Sequence, residues 1–283
     1  MEERLAPGLY VVATPIGNAA DMSPRAACVL AQADVVLAED TRRAGLLCKR
    51  LGVDAARFVS LHEHNEAERA PQVVERLLAG GSAALVSDAG TPLLSDPGYR
   101  LVAACREAGA RVTPVPGPCS FAAALSAAGL PPQPFVFLGF LPRGAAQVRG
   151  LLAKFGALPA TLCFFERKSR LSATLDAAFE VLGERRACIA RELTKIHEEF
   201  ILAPLSELSR SCPDLRGEIT VLVGPPGEIA DEKMSEEAQI EAVLAEEAKA
   251  GGKPREIARR AAARLPGVNA KTLYARLAGE DRE

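Results

Sequence analysis

LYVVATPIGNAADMSPRAACVLAQADVVLAED, residues 9–40, contains one complete turn of a βαβ pattern. Leu9 to Thr14 is a β-branched and aromatic run that reads as a strand. Thr14-Pro15-Ile16-Gly17-Asn18 is a rigid and then flexible turn. Ser23-Pro24 is an N-cap followed by proline at the first helical position, predicting a helix to about Ala33. Val35 to Ala38 is a second, wholly apolar strand, of the kind found where a parallel sheet is covered on both faces. The pattern continues outward with helices over about Arg42–Leu51, Glu66–Ala79 and Tyr99–Ala108. Strands are predicted near Phe58–Leu61, at Ala83–Ser87 and at Arg111–Val115. Pro114 confines that last strand to a sheet edge. An α/β architecture with a largely parallel sheet follows.

Three prolines within Pro131-Pro132-Gln133-Pro134 mark a stiff connector, and a domain boundary is placed there. Beyond it, strand-like runs at 135–139, 161–165, 186–191, 200–202 and 218–223 alternate with helices near 147–155 and 169–182. They predict a second α/β or α+β domain. The divisions expected are residues 1–129, 130–230 and 231–283. The last is an alanine-rich helical extension whose Pro254-Arg255-Glu256-Ile257-Ala258 and Val268-Asn269-Ala270-Lys271-Thr272-Leu273-Tyr274 resemble a helix-turn-helix. Between Lys249 and Arg276 eight bases face one acid, a local charge of +7. Two readings stand for it: an RNA-facing element, or a solvated basic face.

In 283 residues, 48% hydrophobic and 25% charged, the balance is that of a globular chain. No apolar stretch reaches the roughly 20 residues of a membrane span, and the start lacks a secretory layout, so a cytoplasmic protein without a membrane partner is expected. The seven cysteines are odd in number and widely spaced, which suggests buried apolar residues rather than a disulfide framework or zinc site. A net charge of −2 excludes binding of nucleic acid by bulk charge, and the absence of tryptophan disfavours a row of stacked bases.

Ligands of open α/β sheets sit beyond the carboxyl ends of the strands. The segments there are Thr14 to Asn18, Glu39-Asp40-Thr41-Arg42, the loop from Ser87 to Gly98, and Pro116-Gly117-Pro118-Cys119-Ser120-Phe121. A loop as long as 87–98, built of small and hydroxyl residues, is usually functional. No G-x-G-x-x-G or P-loop signature occurs, so a nucleoside ligand must be held in another way. Asp40 is either an N-cap or, with Glu39, a candidate general base. His62-Glu63-His64 invites a metal, with Asp88 or Asp96 as a further ligand. H-x-H alone is a weak signal, and no metal is assigned.

The ordered set of Leu9 to Asn18, Glu39 to Arg42, His62 to Glu66, Ser87 to Gly98, Val115 to Pro118, Gly139-Phe140-Leu141-Pro142 and Arg191-Glu192-Leu193-Thr194-Lys195 resembles the ribosomal RNA small subunit methyltransferase I family. That family lies within the tetrapyrrole methylase fold group. The resemblance covers about residues 9 to 224. It implies the two-domain class III methyltransferase fold and a homodimer. It also implies transfer of methyl from S-adenosylmethionine to a cytidine 2′-hydroxyl in the decoding region of 16S ribosomal RNA of the small subunit. The cofactor is then expected against Pro15, Ser87, Asp88, Ala89, Gly90, Thr91, Ser95, Ser120, Phe121, Leu141 and Thr220. Asp40 or Glu39 would be the base, with Arg42, Arg191 or Lys195 holding phosphate or alkoxide charge. An ion pair of Arg191 with Glu192 is the structural alternative. Two departures stand out: Glu166-Arg167-Lys168-Ser169-Arg170 where the family reads Glu-Ser-Pro-His-Arg, and Gly144 where it tends to carry lysine. Methylation of a tetrapyrrole carbon, a non-catalytic RNA- or ribosome-binding factor and a metal-dependent hydrolase built around His62 and His64 are the rival functions.

Overall fold

The computed structural model describes residues 5–55, 57–227, 236–265 and 267–278. Five strands, β1 (Gly8–Val12), β2 (Val35–Ala38), β3 (Phe58–Ser60), β4 (Ser82–Val86) and β5 (Val112–Val115), form a parallel sheet in the order β3-β2-β4-β1-β5. Between them run α1 (Pro24–Gln32), α2 (Thr41–Arg50), α3 (Glu66–Leu78) and α4 (Tyr99–Glu107), and α5 (Ser120–Ala127) follows β5. Successive strand residues point to opposite faces. Tyr10, Val12, Val36, Ala38, Ala84 and Val86 pack with α1 and α2 on one side. Leu9, Val35, Leu37, Ala83 and Leu85 pack with α3 and α4 on the other. This two-sided burial is why β2, and β4 after its first residue Ser82, are apolar.

Strand order places the chain's reversal between β1 and β4. The connection leaving β1 runs past β4 to β2, and the one leaving β4 runs past β1 to β5. A crevice opens at such a point. The first strand is shorter than its apolar run predicts, because Thr14 leaves the ladder to form an antiparallel bridge with Gly90. Pro114 sits opposite Val11 on the edge strand, where its missing N–H costs no ladder bond on an inner strand.

The second sheet is mixed, in the order β6-β7-β10-β8-β9: β6 (Phe135–Phe140), β7 (Thr161–Glu166), β8 (Arg186–Arg191), β9 (Glu199–Pro204) and β10 (Ile219–Val223). Only the β6/β7 pair is parallel. The helices α6 (Ala145–Gly156), α7 (Lys168–Leu182) and α8 (Leu205–Arg210) cover one face around Phe164, Leu175 and Val221. The other face meets the first half of the chain. Ala124, Leu125 and Ala128 around α5, with Ile16, share one apolar cluster with Cys163, Cys188, Ala190 and Leu222. Both sheets fall in one compact unit, Met1–Pro226, and the chain from Gly227 onward makes another.

The described residues of that second unit include α9 (Glu236–Lys249), α10 (Pro254–Arg264) and α11 (Ala270–Ala278), in keeping with the helical extension expected. Among the described residues no helix is long and apolar enough to cross a membrane. All seven cysteines are free, and Cys48, Cys105, Cys163 and Cys188 are buried.

Candidate active site

Beyond the ends of β1 and β4 two loops are clamped together. Thr14 N–H donates to the Gly90 carbonyl at 2.8 Å and Gly90 N–H returns a bond to Thr14 at 3.0 Å. The Ser87 hydroxyl donates to the Ala89 carbonyl at 3.1 Å, and the Thr91 hydroxyl reaches the Pro118 carbonyl at 3.0 Å, tying this loop to the turn before α5. Leu93 and Ser95 both adopt φ of 73°, an uncommon conformation away from glycine that clusters at functional sites. The loop therefore holds one shape and turns its backbone toward a cleft of about 380 Å³.

One wall of the cleft is Asp88 to Thr91, Leu94, Ser95 and Asp96, with Ile16 behind and Cys119 to Phe121 beside them. The opposite wall comes from the second sheet: Phe140, Phe165 to Lys168, and Gly217 to Thr220. The rings of Phe140 and Phe165 lie 5.3 Å apart between centroids, and the Arg167 guanidinium is 5.9 Å from the Phe140 ring.

Four carboxylates line this space, and three have a cation. Asp88 pairs with Arg43 at 2.8 Å. Glu218 pairs with Lys195 at 3.1 Å. Glu166 is buried with Arg170 at 3.5 Å, the Thr174 hydroxyl at 2.6 Å and the Arg167 N–H at 2.8 Å. Asp96 has no ion pair among the described residues. Burial pushes its carboxyl up to about 6, the nearby Glu39 and Asp88 charges add to that, and a hydrogen bond from Ser87 pulls the other way.

Of the residues expected at a cofactor, Asp88, Ala89, Gly90, Thr91, Ser95, Ser120, Phe121 and Thr220 line the cleft. Pro15, Ser87 and Leu141 are not among the lining residues. All three are buried. Ser87 braces the loop from beneath, and the Leu141 carbonyl accepts from Arg170 at 3.2 Å. None of the five expected catalytic residues lines the cleft either. Asp40 is the N-cap of α2, accepting from the N–H groups of Arg42 at 2.9 Å and Arg43 at 3.4 Å. The first of these bonds is the main cause that holds its carboxyl below the usual carboxylate range. Asp40 thus fills the N-cap position, one of the two readings that its place in the sequence offers.

Arg42 is almost fully exposed, with only Asp40 at 3.5 Å. Arg191 bonds Glu199 at 2.6 Å, and, after the larger effect of Lys195, its charge also helps to hold the neighbouring Glu192 carboxyl below its usual range. Lys195 bonds Glu192 at 2.9 Å as well as Glu218. Both cations take part in ion pairs. Glu39 is exposed and acts on the cleft through its field at Asp96.

Of the second-sheet wall, sequence reading anticipated Thr220 but not Phe140, Phe165 to Lys168 or Gly217 to Ile219, and it weighed Asp96 only as a metal ligand. The His62 and His64 rings meet edge to face at 6.0 Å, and no group of three metal-binding side chains forms among the described residues. The rest of that motif is structural. Asn65 accepts from the His62 N–H at 2.8 Å, and Glu66 accepts from the Leu101 N–H at 3.0 Å in α4.

A family model described as Tetrapyrrole (Corrin/Porphyrin) Methylases matches residues 8–209. The Ribosomal RNA small subunit methyltransferase I of Mesorhizobium japonicum is 46% identical over 277 residues, covering 96% of this chain and 92% of that protein. The protein of the same name in Escherichia coli O157:H7 is 51% identical over 201 residues, 71% of this chain and 70% of that one. The chain belongs to the ribosomal RNA small subunit methyltransferase I family. The fold of this member of the methyltransferase I family is shared with solved structures at much lower identity. The methyltransferase CobJ has a TM-score of 0.60 at 20% identity, covering 77% of this chain and 94% of that chain. A uroporphyrin-III C-methyl transferase from Thermus thermophilus, solved in complex with S-adenyl homocysteine, has a TM-score of 0.55 at 18% identity, covering 77% and 97%. Such likeness is one of fold alone, whereas the two methyltransferase I relatives match over 96% and 71% of this chain at far higher identity.

Proposed function

We propose that this chain transfers a methyl group from S-adenosylmethionine to the 2′-hydroxyl of a cytidine in the decoding region of 16S ribosomal RNA, acting on the small subunit as a cytoplasmic homodimer. The observation that carries the reading is the cleft at the reversal point of the first sheet, in a chain 46% identical to a ribosomal RNA methyltransferase over 277 residues. Its lining fits the cofactor. S-adenosylmethionine is a cation at its sulfonium and ammonium groups, and Asp96 offers a carboxylate without a counter-ion of its own. Phe121, Phe140 and Phe165 offer apolar surface to an adenine ring. The Gly90 backbone borders the cleft closely, for a Cβ there would stand 3.2 Å from Ile16 Cγ2.

Bound there, the cofactor supplies an electrophilic methyl group for in-line displacement, and no metal is required. What the chain supplies is position and exclusion of water, which can account for much of such a rate enhancement. Arg167 and Lys168, both exposed on the second-sheet wall, hold RNA phosphate at the cleft mouth. Lys168 is steadied by Asp214 at 2.5 Å. With Asp40 committed to the helix start, Glu39 is the member of that pair left to accept the hydroxyl proton.

Calorimetry with S-adenosylmethionine tests the cofactor, and methyl mapping of 16S RNA from cells lacking this protein tests the target. Absence of cofactor binding, or a methylation pattern indistinguishable from that of the parent cells, would refute the reading.

A further inference from the structure

The helices after Gly227 enclose a core of their own. Ile240 and Leu244 of α9 meet Ile257, Ala258 and Ala261 of α10 and Leu273 of α11. The arginines of α10 come as two pairs at one-turn spacing, and the pairs face different ways. Arg260 and Arg264 turn to α9, where each bonds Glu247, at 2.7 and 2.9 Å, and Arg264 also bonds Glu246 at 2.8 Å. Arg260 further donates to the carbonyls of Glu247 and Gly251, both at 2.8 Å. These two bases hold the unit together.

Arg255 and Arg259 are exposed, and among the described residues no carboxylate is bonded to either. The Arg255 guanidinium lies 5.6 Å from the Tyr274 ring, which joins this outer row to α11. Lys271 stands one turn before Tyr274 on the same helix and is exposed, as is Lys253 just before α10. Asn269 fixes the start of α11, accepting from the Thr272 N–H at 2.9 Å and from its hydroxyl at 3.0 Å.

We propose that Lys253, Arg255, Arg259, Lys271 and Tyr274 form one continuous strip that binds RNA, the lysines and Arg259 on phosphates and the neighbouring Arg255 guanidinium and Tyr274 ring against an unpaired base. The choice of RNA rests on the proposed function. A guanidinium beside an aromatic ring suits unstacked bases, which duplex DNA does not present. No large exposed apolar side chain of the described residues lies in this unit, which argues against a membrane surface.

The test uses the full chain carrying Arg255→Gln, Arg259→Gln and Lys271→Gln, with binding to 16S RNA followed over a salt series. Loss of the phosphate contacts of Arg259 and Lys271 should reduce the salt slope by about one and a half to two, and with the base-facing Arg255 also gone binding should weaken about tenfold or more at low salt. Affinity for S-adenosylmethionine and the thermal midpoint should match the parent, which shows that the fold is kept. An unchanged slope and affinity would overturn the proposal. So would equally tight, equally strip-dependent binding of duplex DNA of matched length. If the strip governs RNA affinity but no methyl transfer is found, the functional reading fails and the strip stands. If methyl transfer is found and RNA binding does not depend on the strip, the strip fails and the functional reading stands.

Discussion

At Gly90 the backbone takes φ of +79° with its amide and carbonyl both committed to Thr14. A leucine there is strained in conformation and projects toward Ile16, so Gly90→Leu should abolish cofactor binding in calorimetry while the chain stays folded. Asp96 carries the clearest pH signature. Its carboxyl titrates near 6 in the folded chain, raised by burial and by Glu39 and Asp88, and the Ser87 bond offsets part of this. A raised carboxyl binds its proton more tightly folded than unfolded, so its ionisation costs stability, and that cost disappears as pH falls from about 6 toward 4. A cationic cofactor favours the ionised form, so affinity should climb between about pH 5 and 7. Asp96→Asn should weaken binding tenfold or more and flatten that climb; a parent-like pH profile in the variant would remove Asp96 from the site. Asp40→Asn should be nearly silent in single-turnover methylation, since asparagine caps as well as aspartate, whereas Asp40→Ala should lower the thermal midpoint by removing the cap. Glu39→Gln should slow methyl transfer about 100-fold at saturating cofactor if it takes the proton. The loop chemistry of the site was legible because small and hydroxyl residues at strand ends announce close backbone approach. The wall from Phe140 and Phe165 was not, because apolar residues at strand ends look the same whether they face a core or a ligand.

The regular elements followed from periodicity and caps: Ser23 caps α1 by accepting from the Ala26 N–H at 3.1 Å, and β2 and β8 occupy the predicted residues. What local pattern could not show was capping from a distance. Gly98 gives α4 no side-chain cap, and the buried Glu66 of α3 supplies it instead. Nor could it show the job of Arg185. This buried guanidinium donates to the carbonyls of Gly156 at 2.8 Å, Leu182 at 3.1 Å and Gly224 at 3.4 Å, gathering the ends of α6, α7 and β10. Arg185→Met should leave these carbonyls unsatisfied and lower stability by about 3 kcal/mol in denaturant unfolding, with the cofactor site intact in folded protein. The short α8 carries too few residues for a periodic signal.

In the whole molecule, the chain ending at Gly227 should remain soluble and bind cofactor like the parent, because both sheets and the cleft lie before that point. Its RNA affinity should fall; equal RNA affinity and salt slope would show the extension to be dispensable. The two halves of the first unit meet through more than their shared apolar cluster. Gly17 packs so tightly on the segment after β8 that a Cβ would stand 2.5 Å from Lys195 Cγ, and the Asn18 N–H donates to the Thr194 hydroxyl at 3.0 Å. That seam has a kinetic meaning. With the halves sewn together, cofactor loading needs no opening step, so observed association rates should rise linearly with ligand concentration, without the plateau that a gated entrance imposes.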